Sequence, residues 1–132
     1  MIDGTTAILE RVLDIRMQKH ALHVSNIANS NVPDFKSKTL DFESRMKDAI
    51  AFAENSGNTE RSQSQALENQ AKNITADVYE DPLAVMKGDG NSVNMDKEQT
   101  ELAKNTIAYE GAIQLINKKM ALQKYVLAEG GK

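Results

Sequence analysis

Apolar residues recur at alternating steps of four and three along the last quarter of the chain. The row consists of Met95, Gln99, Leu102, Thr106, Tyr109, Ile113, Ile116, Met120, Gln123 and Leu127. Although two glutamines and a threonine interrupt it, the phase is kept throughout, as in the heptad seam of a coiled coil. Asn94 or Asp96 can cap the first turn, and Gly130 and Gly131 can end the helix. The pattern predicts one helix over 94–132, roughly 50 Å long at about 1.5 Å per residue.

A second apolar row runs beside the first on the same predicted helix. It consists of Ala108, Ala112, Leu115, Leu122 and Val126. A helix that packs against one partner needs a single apolar stripe, whereas a helix that is apolar on two sides needs several neighbours. Each large apolar side chain left in water forgoes about 1.5–3 kcal/mol. The two rows therefore predict a helix that assembles with other subunits.

The same double pattern appears at the start of the chain. One row consists of Leu9, Leu13, Met17, His20, Val24 and Ile27, and a second row consists of Ile8, Val12, Ile15 and Leu22. Thr5 or Thr6 can cap this helix, and Pro33 ends it because proline restricts Val32 to extended backbone. We expect an N-terminal coiled-coil helix over 1–31 that pairs with the C-terminal helix through one apolar row and leaves the row on its outward side for other subunits.

Residues 32–93 predict an irregular middle segment. Apolar residues at 35, 40 and 42 suggest a short extended piece, and a short helix is expected over 42–54. The stretch 55–73 is polar, with Leu67 as its one large aliphatic side chain, and this composition predicts a loop that is mobile or is ordered by a partner.

The end of the middle segment has weak alternation and contains Pro82, which indicates an extended edge over 74–86. The glycines of 87–92 indicate a turn before the last helix. The predicted fold class is therefore mainly α, with long N- and C-terminal helices that pair as a coiled coil and a short irregular or extended middle.

Composition narrows the range of functions. The 132 residues predict one domain, and six aromatic side chains fit helix packing better than a large aromatic core. A net charge of −3, without a basic patch, argues against nucleic acid as a partner. The sequence contains no run of eighteen apolar residues, so no membrane span is predicted. The absence of cysteine excludes thiol chemistry. The N-terminus lacks a cleavable secretion signal, so we expect the protein to stay inside the cell or to leave by another route.

The side chains that carry chemistry are few. His20 and His23, the only histidines, lie three apart on the first helix, but no third metal ligand is identifiable nearby. The glycine-rich segment 88–92 lacks the Gly-Lys-Ser/Thr ending of a phosphate-binding loop and the ligand spacing of a calcium loop. The acidic residues form no recognisable cleft, so we expect solvated surface. We predict a non-enzymatic protein without a metal or cofactor.

Two segments carry a resemblance to a known family. The segment 27–36 reads Ile-Ala-Asn-Ser-Asn-Val-Pro-Asp-Phe-Lys at the end of the first helix. It resembles the Ala-Asn-x-x-Thr-Pro-Gly-Tyr pattern of the flagellar rod and hook proteins. Asn29 and Pro33 match in register, whereas Val32, Asp34 and Phe35 depart from the pattern. The segment 89–98 and residues 102–109 resemble the lead-in to the terminal helix of the flagellar basal-body rod proteins, the proximal rod subunits in particular.

The resemblance implies a structural subunit of the periplasmic rod, the shaft that links the motor to the hook. It implies other rod subunits and basal-body membrane-ring or adaptor proteins as partners, with no nucleic acid and no direct membrane span. It further implies passage through the flagellar type III export apparatus, for which Phe42 and Met46 fit a Phe-x-x-x-apolar signal. Interlocked coiled-coil seams in a non-closing helical packing would transmit torque.

We expect an assembly interface drawn from the apolar rows and the turn after the first helix. Its residues are Leu9, Leu13, Val24, Ile27, Asn29, Pro33, Phe35, Leu102, Tyr109, Ile113, Ile116, Met120 and Leu127. One alternative is a cytosolic helical adaptor or chaperone that forms a closed coiled-coil oligomer. A second is an enzyme or metal-binding helical protein that uses His20 and His23.

Overall fold

The computed structural model describes residues 3–131, which form four helices and a two-stranded sheet. In chain order the elements are α1 (Gly4–Ala28), β1 (Lys38–Asp41), α2 (Glu43–Glu54), α3 (Glu60–Ala71), β2 (Asp77–Glu80) and α4 (Met95–Gly130). The predicted mainly α fold with two long terminal helices is confirmed, as are the short helix after residue 42 and the extended pieces on either side of it. Residues 1, 2 and 132, which the predicted terminal segments include, lie outside the described range.

The caps of the two long helices come from Asp3 and Asn94. The predicted Thr5 or Thr6 cap is wrong, because the Asp3 carboxylate accepts a hydrogen bond of 2.9 Å from the backbone N–H of Thr6 and Thr6 itself lies inside the first turn. The prediction of Asn94 is confirmed, since its side chain accepts from the backbone N–H of Lys97 at 3.1 Å. Both caps satisfy amides that the helix leaves without an internal partner.

The apolar core lies between α1 and the middle of the chain. Its buried members are Ile8, Val12, Ile15, Leu40, Phe42, Ala49, Ala71 and Ile74. The row of α1 that begins at Ile8 therefore faces the middle elements. Among the described residues this cluster includes no side chain of α4, so α4 is an addition to a core that the first 80 residues build.

Residues 60–71 of the predicted mobile or partner-ordered loop form the helix α3, so the prediction of a loop is wrong for them. Thr59 caps α3 by accepting from the backbone N–H of Ser62, and Ala71 enters the core while Leu67 packs against it. The approach of α3 to α1 is close, because a Cβ on Gly4 would lie 2.2 Å from the carbonyl oxygen of Ser64. A polar sequence is ordered here by the surface of α1, which composition alone does not reveal.

The sheet joins the two extended pieces. β1 and β2 pair antiparallel, with Lys38 opposite Glu80 and Leu40 opposite Val78. Leu40 is buried in the core, whereas all four residues of β2 are exposed. The sheet thus forms one edge of the unit, next to the turn that leads into α4.

Candidate assembly interface

The two long helices pair antiparallel through polar contacts. His23 Nδ1 lies 2.6 Å from Glu98 Oε2, and both residues are buried. Arg16 Nη1 donates to Asn105 Oδ1 at 3.1 Å, and Asn105 Nδ2 donates to the Arg16 carbonyl oxygen at 2.8 Å. The guanidinium of Arg16 also lies over the Phe42 ring, 5.2 Å from its centre. Because buried polar groups are costly without partners, these contacts fix the register of α4 on α1.

The buried stripe of α4 differs from the predicted seam. It contains Glu98, Asn105, Ala112 and Ile116, whereas Gln99 and Thr106 of the predicted row are exposed. Leu102, Tyr109 and Gln123 lie at intermediate burial. The seam is therefore rotated by about one residue over the first half of the helix, because Glu98 and Asn105 have polar partners on α1 that only the folded chain reveals.

The start of α1 is tied to the later part of α4. The carboxylate of Asp3 pairs with Lys119 Nζ at 2.7 Å and accepts from Gln123 Nε2 at 3.5 Å. Partial burial raises the pKa of Asp3, but hydrogen bonds from Lys119 and Thr6 outweigh it, so the net pKa is below the ordinary 3.8. Since Asp3 is the first described residue, the turns of α4 after 123 extend beyond the described part of α1.

Large apolar side chains are exposed along the second half of α4. They are Leu115, Met120, Leu122, Tyr125, Val126 and Leu127, with exposed fractions between 51 % and 76 %. Leu115, Leu122 and Val126 belong to the second predicted row and share one face of the helix. We call these three residues the outer row. On α1, Met17 and Val24 are likewise exposed at the seven-residue spacing.

The two segments that carry the family resemblance lie together in space. Asn91 is fully buried, and its Nδ2 donates to the carbonyl oxygens of Asn29 and Val32, each at 2.8 Å. The backbone N–H of Asp34 donates to the Asp89 carbonyl at 3.0 Å. Asp34 has a φ of 62°, which lies in the left-handed region of backbone conformation. The family pattern has glycine at this position, and aspartate tolerates this conformation better than most other residues. This junction holds the end of α1 beside the start of α4, a contact that neither motif indicates in the sequence.

The predicted interface residues fall into three burial classes. Exposed are Val24, Pro33, Met120 and Leu127. At intermediate burial are Leu9, Leu13, Ile27, Asn29, Phe35, Leu102, Tyr109 and Ile113. Ile116 is buried inside the chain, as is Phe42 of the export pattern, while Met46 is partly buried against the core. Their role in assembly stays a prediction.

The two histidines of α1 lie in different environments. His23 is buried against Glu98, and its Nε2 has no hydrogen-bond partner within residues 3–131. His20 is exposed and lines a cavity of about 260 Å³ between α1 and α4, together with Arg16 and Tyr109. The described residues contain no group of three side chains that could hold a metal ion.

A further apolar surface lies at the start of α4, and most of it falls in the segment 74–86, for which the sequence pattern indicates only an extended edge. Leu83 and Val85 are each 82 % exposed, and Met86 and Met95 are also exposed. The signal in the sequence is the short apolar run after Pro82. We call these four residues the loop patch.

Comparison with known proteins identifies relatives over nearly the whole chain. No protein-family model matches. The chain is 30 % identical to flagellar basal body rod protein FlgB of Bacillus subtilis, with 98 % of each chain covered. It is 32 % identical to the protein of that name from Cereibacter sphaeroides over 84 % of each chain, and 28 % identical to that of Aeromonas hydrophila over 90 % of this chain and 89 % of the relative. No helix within residues 3–131 has the length and apolar character to cross a membrane. Identity at this level over the full length shows that the chain belongs to the FlgB family of flagellar basal body rod proteins.

Proposed function

We propose that this chain is a structural, non-enzymatic subunit of the flagellar rod that assembles with other basal-body proteins through the outward faces of α1 and α4. Family membership supports the assignment to the rod. The proposal of an assembly surface rests on the exposure of the outer row, in which Leu122 is 62 % and Val126 is 58 % exposed. Regularly spaced apolar side chains on one helix face are typical of a face that another helix covers.

The size of the exposed surface agrees with this proposal. The chain exposes 8712 Å², whereas a compact monomer of its mass would expose about 6,900 Å². The excess of roughly 1,800 Å² exceeds the roughly 800 Å² that each partner contributes to a stable interface. One subunit can therefore meet more than one neighbour without any loss of its own core.

Torque transmission requires that each subunit resist internal slippage. The buried contacts of His23 with Glu98 and of Arg16 with Asn105 would hold α4 in one register on α1. Displacing α4 along α1 would separate both pairs, and each separation leaves a buried polar group without a partner. We call the contacts of His23 with Glu98 and of Arg16 with Asn105 the polar seam. We infer that the polar seam gives stiffness within a subunit and that the outer row binds neighbouring subunits.

An assembly test should change exposed residues only. Ile113 and Ile116 of the predicted row are unsuitable, because Ile116 is buried and aspartate there would disturb the fold. The paired substitution Leu122→Asp and Val126→Asp should leave unfolding by urea nearly unchanged, yet exclude the chain from purified basal bodies and abolish swimming. The matched control is Gln114→Asp with Asn117→Asp, which adds the same charge to exposed polar positions of the same helix. Normal incorporation of the first variant would refute the proposed surface.

The closed-oligomer alternative makes a different prediction for the isolated chain. A closed adaptor or chaperone has a fixed stoichiometry that persists on dilution, whereas a heterologous rod contact gives open, concentration-dependent association. Light scattering on the purified chain over a dilution series distinguishes the two. A fixed dimer or tetramer would favour the adaptor.

Export through the flagellar type III apparatus to the periplasm belongs to the same proposal. Phe42 is fully buried in the core, so any recognition of Phe42 and Met46 would have to use the unfolded chain. Secretion of Phe42→Ala should fall well below that of Ile74→Ala, a control that also removes a fully buried core side chain but lies outside the pattern. Equal secretion of the two variants would show that Phe42 is not a signal.

A further inference from the structure

Two exposed apolar surfaces lie at opposite ends of α4. At its start is the loop patch, in which Leu83, Val85 and Met95 also line one surface groove with Lys97 and Glu98. At its other end are Tyr125, Val126 and Leu127, which we call the end patch. The 36 residues of α4 span about 54 Å at about 1.5 Å per residue. The two patches of one chain therefore cannot touch each other.

The charged residues near the loop patch are mainly acidic, and those near the end patch are mainly basic. The segment 77–96 contains five acidic residues and one lysine. Arg45 pairs with Asp77 and Lys97 with Asp81, whereas Glu80, Asp89 and Asp96 form no ion pair with other described residues. The segment 118–129 contains three lysines and one glutamate, Glu129. Lys119 pairs with Asp3, while Lys118 and Lys124 are exposed.

We propose that the end patch of one copy docks on the loop patch of a second copy of this chain. The proposal rests on the rod function, and it names one of the contacts by which copies would join. Apolar side chains are available on both surfaces, and the exposed lysines of one end meet the acidic surround of the other, which favours this pairing over the contact of two like ends. A second copy is the occupant that carries both halves in the correct sign.

The geometry of this contact has a consequence for assembly. Because the two surfaces are different and lie far apart, a docked pair keeps a free loop patch on one copy and a free end patch on the other. A contact of this heterologous kind does not close upon itself unless the rotation happens to form a ring, and it otherwise extends into an open file of subunits. The file would run along the direction of α4.

Cysteine pairing tests the proposal, since the chain contains no cysteine of its own. Purified Val85→Cys and Leu127→Cys chains are mixed under mild oxidation, and the rate of the mixed disulfide is measured. The control mixes Val85→Cys with Ile107→Cys, which places the thiol on the same helix at an apolar position that is 71 % exposed. We expect the first pair to react on the order of tenfold faster, because docking raises the effective concentration of the two thiols. Adding Lys118→Glu and Lys124→Glu to the Leu127→Cys chain should slow that reaction.

Equal rates for the two mixtures would overturn the docking, as would faster pairing of Val85→Cys with itself, which would indicate a symmetric contact. The same oxidation is applied to basal bodies that contain the double variant Val85→Cys, Leu127→Cys. Chains linked to one another support the inference, whereas a chain that is present but linked at Val85→Cys to a different protein overturns it and leaves the rod function intact. If the unsubstituted chain is absent from basal bodies altogether, the rod function fails, and the reaction in solution still decides whether the two patches dock.

Discussion

Removing one member of the buried His23–Glu98 pair should weaken the attachment of α4 to α1. In His23→Ala, the Glu98 carboxyl group loses the partner at 2.6 Å, and in Glu98→Ala the imidazole loses its one hydrogen bond within the described chain. Because both residues are only 4 % exposed, water replaces the missing partner poorly. Each single variant should therefore lose stability through a stranded polar group as well as through lost packing.

The expected magnitude follows from burial. A buried polar group that loses its partner costs about 1–3 kcal/mol. In the double variant His23→Ala, Glu98→Ala neither group is stranded, so its loss should be smaller than the sum of the two single losses. The coupling energy of the double-mutant cycle should be about 1–3 kcal/mol.

Urea unfolding followed by far-ultraviolet circular dichroism is the suitable assay, since the chain has no tryptophan and is mainly helical. A parallel cycle on Lys19 and Glu43 serves as the control, because that ion pair is longer, at 3.5 Å, and Glu43 is 47 % exposed. The control coupling should lie within about 0–1 kcal/mol. If the His23–Glu98 coupling were no larger than the control, the polar seam would not fix the register of α4.

Three other predictions concern stability. Gly4→Ala should destabilise by about 1–3 kcal/mol, because the added Cβ meets the Ser64 carbonyl and the backbone has to move. Gly111→Ala should instead stabilise by about 0.5–1 kcal/mol, since this helical position faces open space, and urea unfolding measures both changes. Burial raises the pKa of Asp81, but hydrogen bonds from Lys97 and the Leu83 backbone lower it by a larger amount, so the net pKa lies below 3.8. The stability that this ionised carboxylate contributes is present above pH 3.8 and is lost as the pH falls through the lowered folded-state pKa. Asp81→Asn should therefore reduce the loss of stability between about pH 5 and about pH 2. An unchanged dependence of stability on pH in that range would contradict this prediction.

The long helices were predictable because their periodicity is strong and local. The heptad steps, the cap at Asn94 and the proline after α1 act through neighbours in sequence, so they can be read without tertiary information. The helix α3 was not predictable, because its order comes from contact with α1 at Gly4 and from Leu67 packed against the core. A polar sequence of this kind looks the same whether or not a surface is present to order it.

The pairing of α1 with α4 was predictable from the sequence, but its register was not. Glu98 and Asn105 lie outside the predicted row, since nothing in the sequence near them indicates that His23 and Arg16 lie opposite. The junction around Asn91 joins segments about 60 residues apart, and no local pattern reports such a contact. The loop patch was missed because a short apolar run in a turn does not distinguish a buried segment from an exposed one.

If other subunits cover the outer row of α4 in the assembled rod, the side chain at position 122 should be shielded there. The shielding can be measured by the rate at which a thiol reagent labels Leu122→Cys in the free chain and in isolated basal bodies. Leu122 is 62 % exposed in the single chain, so the free variant should react rapidly, whereas the same position should be strongly protected in the basal body. Labelling at the same rate in both states would contradict the account.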